Sequence, residues 1–112
     1  MGVLAVLLGA FGAHSLKKII SIENMIVFET ANRYHFYHLF AIFLTGILSK
    51  ELNVESILKI GYFFLIGLVL FSGSLYILAI SNIKWLGIIT PFGGVVLIFA
   101  WVMLFYKIYK SR

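Results

Sequence analysis

The sequence predicts an all-α, polytopic membrane protein: four transmembrane helices in an antiparallel bundle forming one domain over residues 1–112. Three observations carry this. The stretch IGYFFLIGLVLFSGSLYILAI, Ile60 to Ile80, is uncharged throughout, and at about 1.5 Å of rise per residue it covers about 31 Å as a helix, the hydrocarbon thickness of a bilayer. Hydrophobic residues make up 62% of the 112 and charged ones 12%, against about 45–50% and 25% in soluble domains. A soluble fold of this size cannot hide that surplus, so it faces lipid. Finally, the basic residues behind the +5 formal charge stand at the ends of apolar runs, where they anchor to headgroups rather than to nucleic acid.

The first span is read as about 1–16. No basic residue precedes its apolar run, as one would in a signal peptide. Gly2, Ala5, Gly9 and Gly12 recur on one face, and small residues let helices approach closely in lipid. Lys17 and Lys18 close the span by snorkelling. Ser21 is placed to cap the next helix, with Glu23 in its first turn. Residues 22–32 read as an interfacial helical segment in which Glu29 can pair with Arg33, and 33–49 as the second span. Along it Tyr34, His38, Ala41 and Thr45 share a face.

The charged loop from Lys50 to Lys59 is short, so spans two and three pair directly. In the third, about 60–80, Gly67 and Ser74 share a face and mark a contact; Ser81 and Asn82 end it. A fourth span, about 91–109, starts at Pro91, whose missing N–H matters least in the first turn. Ile83 to Ile89 then form an interfacial connector anchored by Trp85; the alternative starts the helix at Trp85 and kinks it at Pro91. Gly93 and Gly94 are read as packing positions, because the segment lacks the Lys and hydroxyl residues of a phosphate loop.

Four ordered segments occur: Gly9-Ala10-Phe11-Gly12-Ala13-His14, Arg33-Tyr34-His35-Phe36-Tyr37-His38, Phe71-Ser72-Gly73-Ser74-Leu75-Tyr76 and Leu86-Gly87-Ile88-Ile89-Thr90-Pro91-Phe92-Gly93-Gly94. Together they resemble the bacterial membrane family called domain of unknown function 423, to which eukaryotic transmembrane protein 256 looks related. The resemblance covers nearly the whole chain and implies four spans and no assigned activity. It also implies that members usually begin somewhat earlier, and that Gln is more usual at His35.

The absence of Cys excludes disulfides and thiolate chemistry. The spans hold no carboxylate, so no catalytic residue is expected and no nucleophile–base–acid set can be assembled. Only histidine could ligate a metal. His14 ends the first span while His35 and His38 begin the second, which would put them at one level with Arg33 and Tyr34 in a polar interface cluster of His14, Arg33, Tyr34 and His38. Three such histidines could hold zinc, or two a haem iron; the plainer reading is hydrogen bonding to carbonyls or Tyr. In that reading His38 turns inward and His35 is the more exposed.

The functional expectation is an integral protein of the cell membrane (a bacterial inner or plasma membrane) without a cofactor, acting by packing or partner binding. Its partners would be the lipid bilayer and a second copy or another membrane protein, not nucleic acid. The alternatives are a small oligomeric transporter or channel, and a His-ligated metal or haem protein.

Overall fold

The computed structural model describes residues 2–110; Met1 and the end of the basic tail, Ser111 and Arg112, lie outside the described residues. Helix α1 runs Gly2–His14, a 3-10 turn follows at Leu16–Lys18, and α2 runs Ile22–Glu51. Helix α3 runs Ser56–Ser81, with one π-helical turn at Val69–Gly73. A 3-10 turn at Lys84–Ile88 leads into α4, Ile89–Lys110. The described residues are all helix and turn, drawn out to 50 × 26 × 15 Å.

Two helical stretches, Ser56–Ser81 and Lys84–Lys110, are long and apolar enough to cross a membrane. The interfacial segment and second span expected separately at 22–32 and 33–49 form one 30-residue helix. Nothing between them interrupts a helix: Thr30-Ala31-Asn32-Arg33-Tyr34 holds neither Gly nor Pro. Ser21 caps α2 through its side chain, accepting from the Asn24 N–H at 3.1 Å, and Glu23 lies in the first turn. The turn into α3 uses Asn53 at φ 54°, and α3 ends on Asn82 at φ 58°, both left-handed, a conformation Asn tolerates better than most residues. The Asn24 amide donates to Asn82 Oδ1 at 3.2 Å, fixing the start of α2 beside the end of α3.

The helices meet at small residues. A Cβ on Gly12 would stand 2.5 Å from the Phe28 ring, one on Gly9 3.0 Å from Asn32 Oδ1, and one on Gly2 3.7 Å from Leu39. Contacts thus descend α2 as they climb α1. Between α2 and α3 the order is Asn24 with Asn82, Ala31 with Ser72, and Thr45 with Gly61. Between α3 and α4, a Cβ on Gly67 would sit 2.9 Å from Leu97, and one on Gly93 would collide with the Phe71 main chain. Ala5 is fully buried and Gly94 stands in ordinary contact with the Phe71 ring. One apolar cluster, including Ile57, Ile60, Phe64, Leu97 and Leu104, joins α2, α3 and α4; another, with Leu16, Phe28, Ala31, Tyr76 and Ala79, lies at the other end.

The outer face is apolar as well. Leu7, Phe40, Phe43, Phe92, Ile98 and Phe105 are all largely exposed, far more contiguous apolar surface than a soluble monomer presents.

Pro91 is the third residue of α4, within its first turn, where a missing N–H costs least, and a 3-10 turn leads into it. Replacing it by Ala should therefore shift the melting temperature in detergent by no more than a degree or two; a loss comparable to an interior helix break, about 3 kcal/mol, would contradict this placement. A second comparison concerns α1: Gly12→Ala should destabilise more than Gly94→Ala, since the added methyl meets the ring of the buried Phe28 in one case and ordinary van der Waals space in the other. Equal melting temperatures for the two variants would count against the α1–α2 contact.

Candidate polar site between the helices

Helix α2 supplies most of the polar side chains in the interior. Asn32, His35 and His38 follow one another at three-residue spacing and so spread across the surface that α2 turns to α1, α3 and α4. The Asn32 amide has two N–H groups and uses both: one reaches the Ala5 carbonyl on α1 at 2.9 Å, the other Tyr76 Oη on α3 at 2.9 Å. Tyr76 Oη lies 3.0 Å from His35 Nδ1. The hydroxyl accepts from Asn32 and shares a hydrogen bond with Nδ1, so it links two α2 side chains to α3. His35 is 2% exposed, which reverses the expectation that it is the outward member of the pair: α3 packs across that face of α2 and brings Tyr76 to it.

His38 is also buried, at 6%. Its Nδ1 lies 2.9 Å from the Tyr34 carbonyl, and the Trp101 indole N–H of α4 donates to Nε2 at 3.1 Å. A carbonyl only accepts and an indole N–H only donates, so His38 carries its proton on Nδ1. Both of its nitrogens are engaged, which leaves no lone pair for a metal. The ring also stacks on Tyr34 at 6.1 Å, and Tyr34 packs against Phe71 at 4.9 Å.

Two hydroxyl contacts complete the layer. Ser72, within the π-helical turn, donates to the Ala31 carbonyl at 2.9 Å. Ser74 donates to the Phe71 carbonyl at 2.9 Å and pairs with Thr90 Oγ1 at 2.7 Å, tying α3 to α4. The Phe71 carbonyl, in the π-helical turn, thus accepts from both the main-chain N–H and the hydroxyl of Ser74.

His14 does not join this group. It is exposed at the end of α1, where Gly12 lies beside Phe28, whereas Gly2, at the other end, lies beside Leu39. By that register His14 is level with about residue 27 of α2 and His38 with about residue 3 of α1, a separation of roughly 16 Å along the helix. The expected cluster of His14, Arg33, Tyr34 and His38 therefore separates. The cause is the early start of α2: with the hairpin turn at 15–21, His38 sits more than four turns into the helix instead of at its mouth. Among the described residues no three His, Cys, Asp or Glu side chains converge as a metal site. Arg33 and Glu29 are exposed and line a cleft of about 160 Å³ with Gly9, Gly12 and Asn32; among the described residues the pairing expected of them is not formed.

Asn32, Tyr76 and Trp101 were not singled out in the sequence. Only Asn32 left a local signal, a carboxamide in the middle of a helix, where it is a poor helix former.

The geometry defines a class: a small all-α protein, apolar on its outside, whose helices are joined inside by neutral hydrogen bonds. A profile of the family described as "Protein of unknown function (DUF423)" matches residues 8–94, and the chain belongs to that family. It is 45% identical over 102 residues to a UPF0382 membrane protein, YwdK, of Bacillus subtilis, covering 90% of this chain and 83% of that one. Similar proteins of Staphylococcus aureus (42% over 107 residues, 96% and 87% covered) and Staphylococcus saprophyticus (41% over 107 residues, 96% and 88%) are also named UPF0382 membrane proteins. No solved structure matches the chain. This is a family of membrane proteins whose biochemical function is unassigned.

Proposed function

We propose that all four helices cross the cell membrane of a bacterium as an antiparallel bundle, and that the protein acts through packing and partner binding rather than catalysis. The observation that carries this reading is His38. This buried ring has one nitrogen on the Tyr34 carbonyl and the other on the Trp101 indole, so it serves as a tie between α2 and α4. The ordered contact register of the three helix pairs supports the alternation of direction. The charges support it too: Lys17, Lys18 and Lys84 fall at one set of turns, and Lys50, Lys59, Lys107 and Lys110 at the other. The aromatic outer surface, with Phe40, Phe43 and Phe105 exposed, is suited to lipid and to a second membrane-embedded partner. A pore or a metal centre draws no comparable support, because the clefts open on the outer face and the histidines are bonded or apart.

The test uses the natural lack of Cys. Single cysteines placed at Ile20, Asn53 and Ile83 and probed in sealed vesicles with an impermeant maleimide should label from one side at 20 and 83 and from the other at 53. Labelling of 20 and 53 from the same side would overturn the four-span reading.

A further inference from the structure

We propose that the groove between α1 and α2 binds a phospholipid with an ethanolamine headgroup, its phosphate on Arg33 and its ammonium on Glu29. The proposal rests on the transmembrane reading above. The cleft of about 160 Å³ holding Glu29, Asn32 and Arg33 adjoins a second, of about 220 Å³, that shares Met25 and Glu29 and opens at Lys17 and Ser21. Together they run from the α1–α2 turn inward along α2. Gly9 and Gly12 form part of the wall.

The charges are ordered along this groove. Lys17 stands at the mouth, Glu29 further in, and Arg33 one turn, about 5.4 Å, deeper. Arg33 is eleven residues from the start of α2, about 16 Å, a depth at which a cation in a membrane calls for a partner. Glu29, at i,i+4, is on the same face, but among the described residues the two are not joined in an ion pair. Helix side chains lean toward the N-terminus, so both point toward the mouth.

An ethanolamine phospholipid entering from the bilayer presents its groups in the matching order: acyl chains deepest, phosphate next, and the ammonium two carbons further out. The phosphate meets the guanidinium, which is shaped for paired hydrogen bonds to phosphate oxygens, and the ammonium meets the carboxylate. Tyr37 and Phe40, exposed further down the same helix, offer apolar surface to the acyl chains. A glycerol headgroup has no cation for Glu29, and its net negative charge is repelled there. A choline headgroup has a cation but no N–H to donate.

The test is native mass spectrometry of the purified full chain in detergent with equimolar dioleoyl phosphatidylethanolamine, phosphatidylglycerol and phosphatidylcholine, with melting temperature read alongside. The ethanolamine lipid should be retained roughly fivefold over each of the others, the ratio given by one screened ion pair of about 1 kcal/mol. Glu29→Gln should remove that preference without changing the melting temperature, because the side chain is exposed. Arg33→Gln should lower retention of all three. Equal retention of the three lipids by the parent, or an unchanged preference in Glu29→Gln, would overturn the site. A chain that labels as four spans and shows no preference refutes the lipid site alone; one that fails the cysteine test removes its basis.

Discussion

Gly93→Ala should destabilise the protein by about 1–2 kcal/mol, measured by thermal or denaturant unfolding in detergent. The position lies in α4 against the π-helical turn of α3, and the added methyl would collide with the Phe71 main chain and come within 2.9 Å of the Leu70 carbonyl carbon. A flexible side chain could rotate away; a backbone cannot, so the two helices must separate. Overpacking of this kind costs about 1–3 kcal/mol, and the gain in helix propensity from replacing Gly by Ala offsets about 1 of that at most. The comparison variant is Gly46→Ala. Nothing lies within 4 Å of the Cβ that would be added there, so only the propensity gain operates, and the variant should equal or exceed the parent. If both variants behave alike, the α3–α4 contact is not where it is described.

His35→Ala should cost about 2–3 kcal/mol, whereas His14→Ala should be silent. Removing the ring opens a cavity at a position that is 2% exposed and takes from the Tyr76 hydroxyl its hydrogen bond to His35, in the same layer as the Asn32 amide. The cavity is the larger part: hydrogen bonds between membrane helices contribute only about 0.6 kcal/mol on average and at most about 1.7. His35→Gln separates the two effects, because its amide keeps a donor and an acceptor within reach of Tyr76 and much of the volume, and it should recover at least half of the loss. A silent His35→Ala would mean that the ring faces outward after all.

These magnitudes order the forces in the bundle. Close approach at Gly12, Gly61, Gly67 and Gly93 brings the helices together, and the polar layer sets which faces meet. One bond to Tyr76 adds little energy, but a slip of α2 by one residue would leave Asn32, His35 and Ser72 all without their partners at once.

Much of this was legible in the sequence because it is local. The uncharged run Ile60 to Ile80 lies within α3, Ser21 announces the start of α2, Asn82 its neighbour's end, and Gly12, Gly67 and Gly93 lie where an added Cβ would meet a neighbouring helix. What was hidden depends on partners far away in the chain. The charges at Glu29 and Arg33 suggested a membrane boundary, so α2 was divided where it is continuous, and that division placed His14 and His38 at one level. The π-helical turn has no residue signature of its own. Trp101 is 63 positions from His38, and His35 could be placed inside only once Tyr76 was seen to cover it.

The register of α2 against α3 and α1 underlies both the polar layer and the four-span reading, and paired cysteines test it most directly. A Cβ on Gly61 lies 3.6 Å from Thr45 Cβ, within the disulfide range of about 3.5–4.5 Å. Thr45→Cys with Gly61→Cys should therefore cross-link readily in membranes under mild oxidation, seen as a mobility shift after proteolysis in the 52–55 turn, while His14→Cys with His38→Cys should not. Failure of the first pair together with efficient linkage of the second would place the histidines side by side and contradict the register.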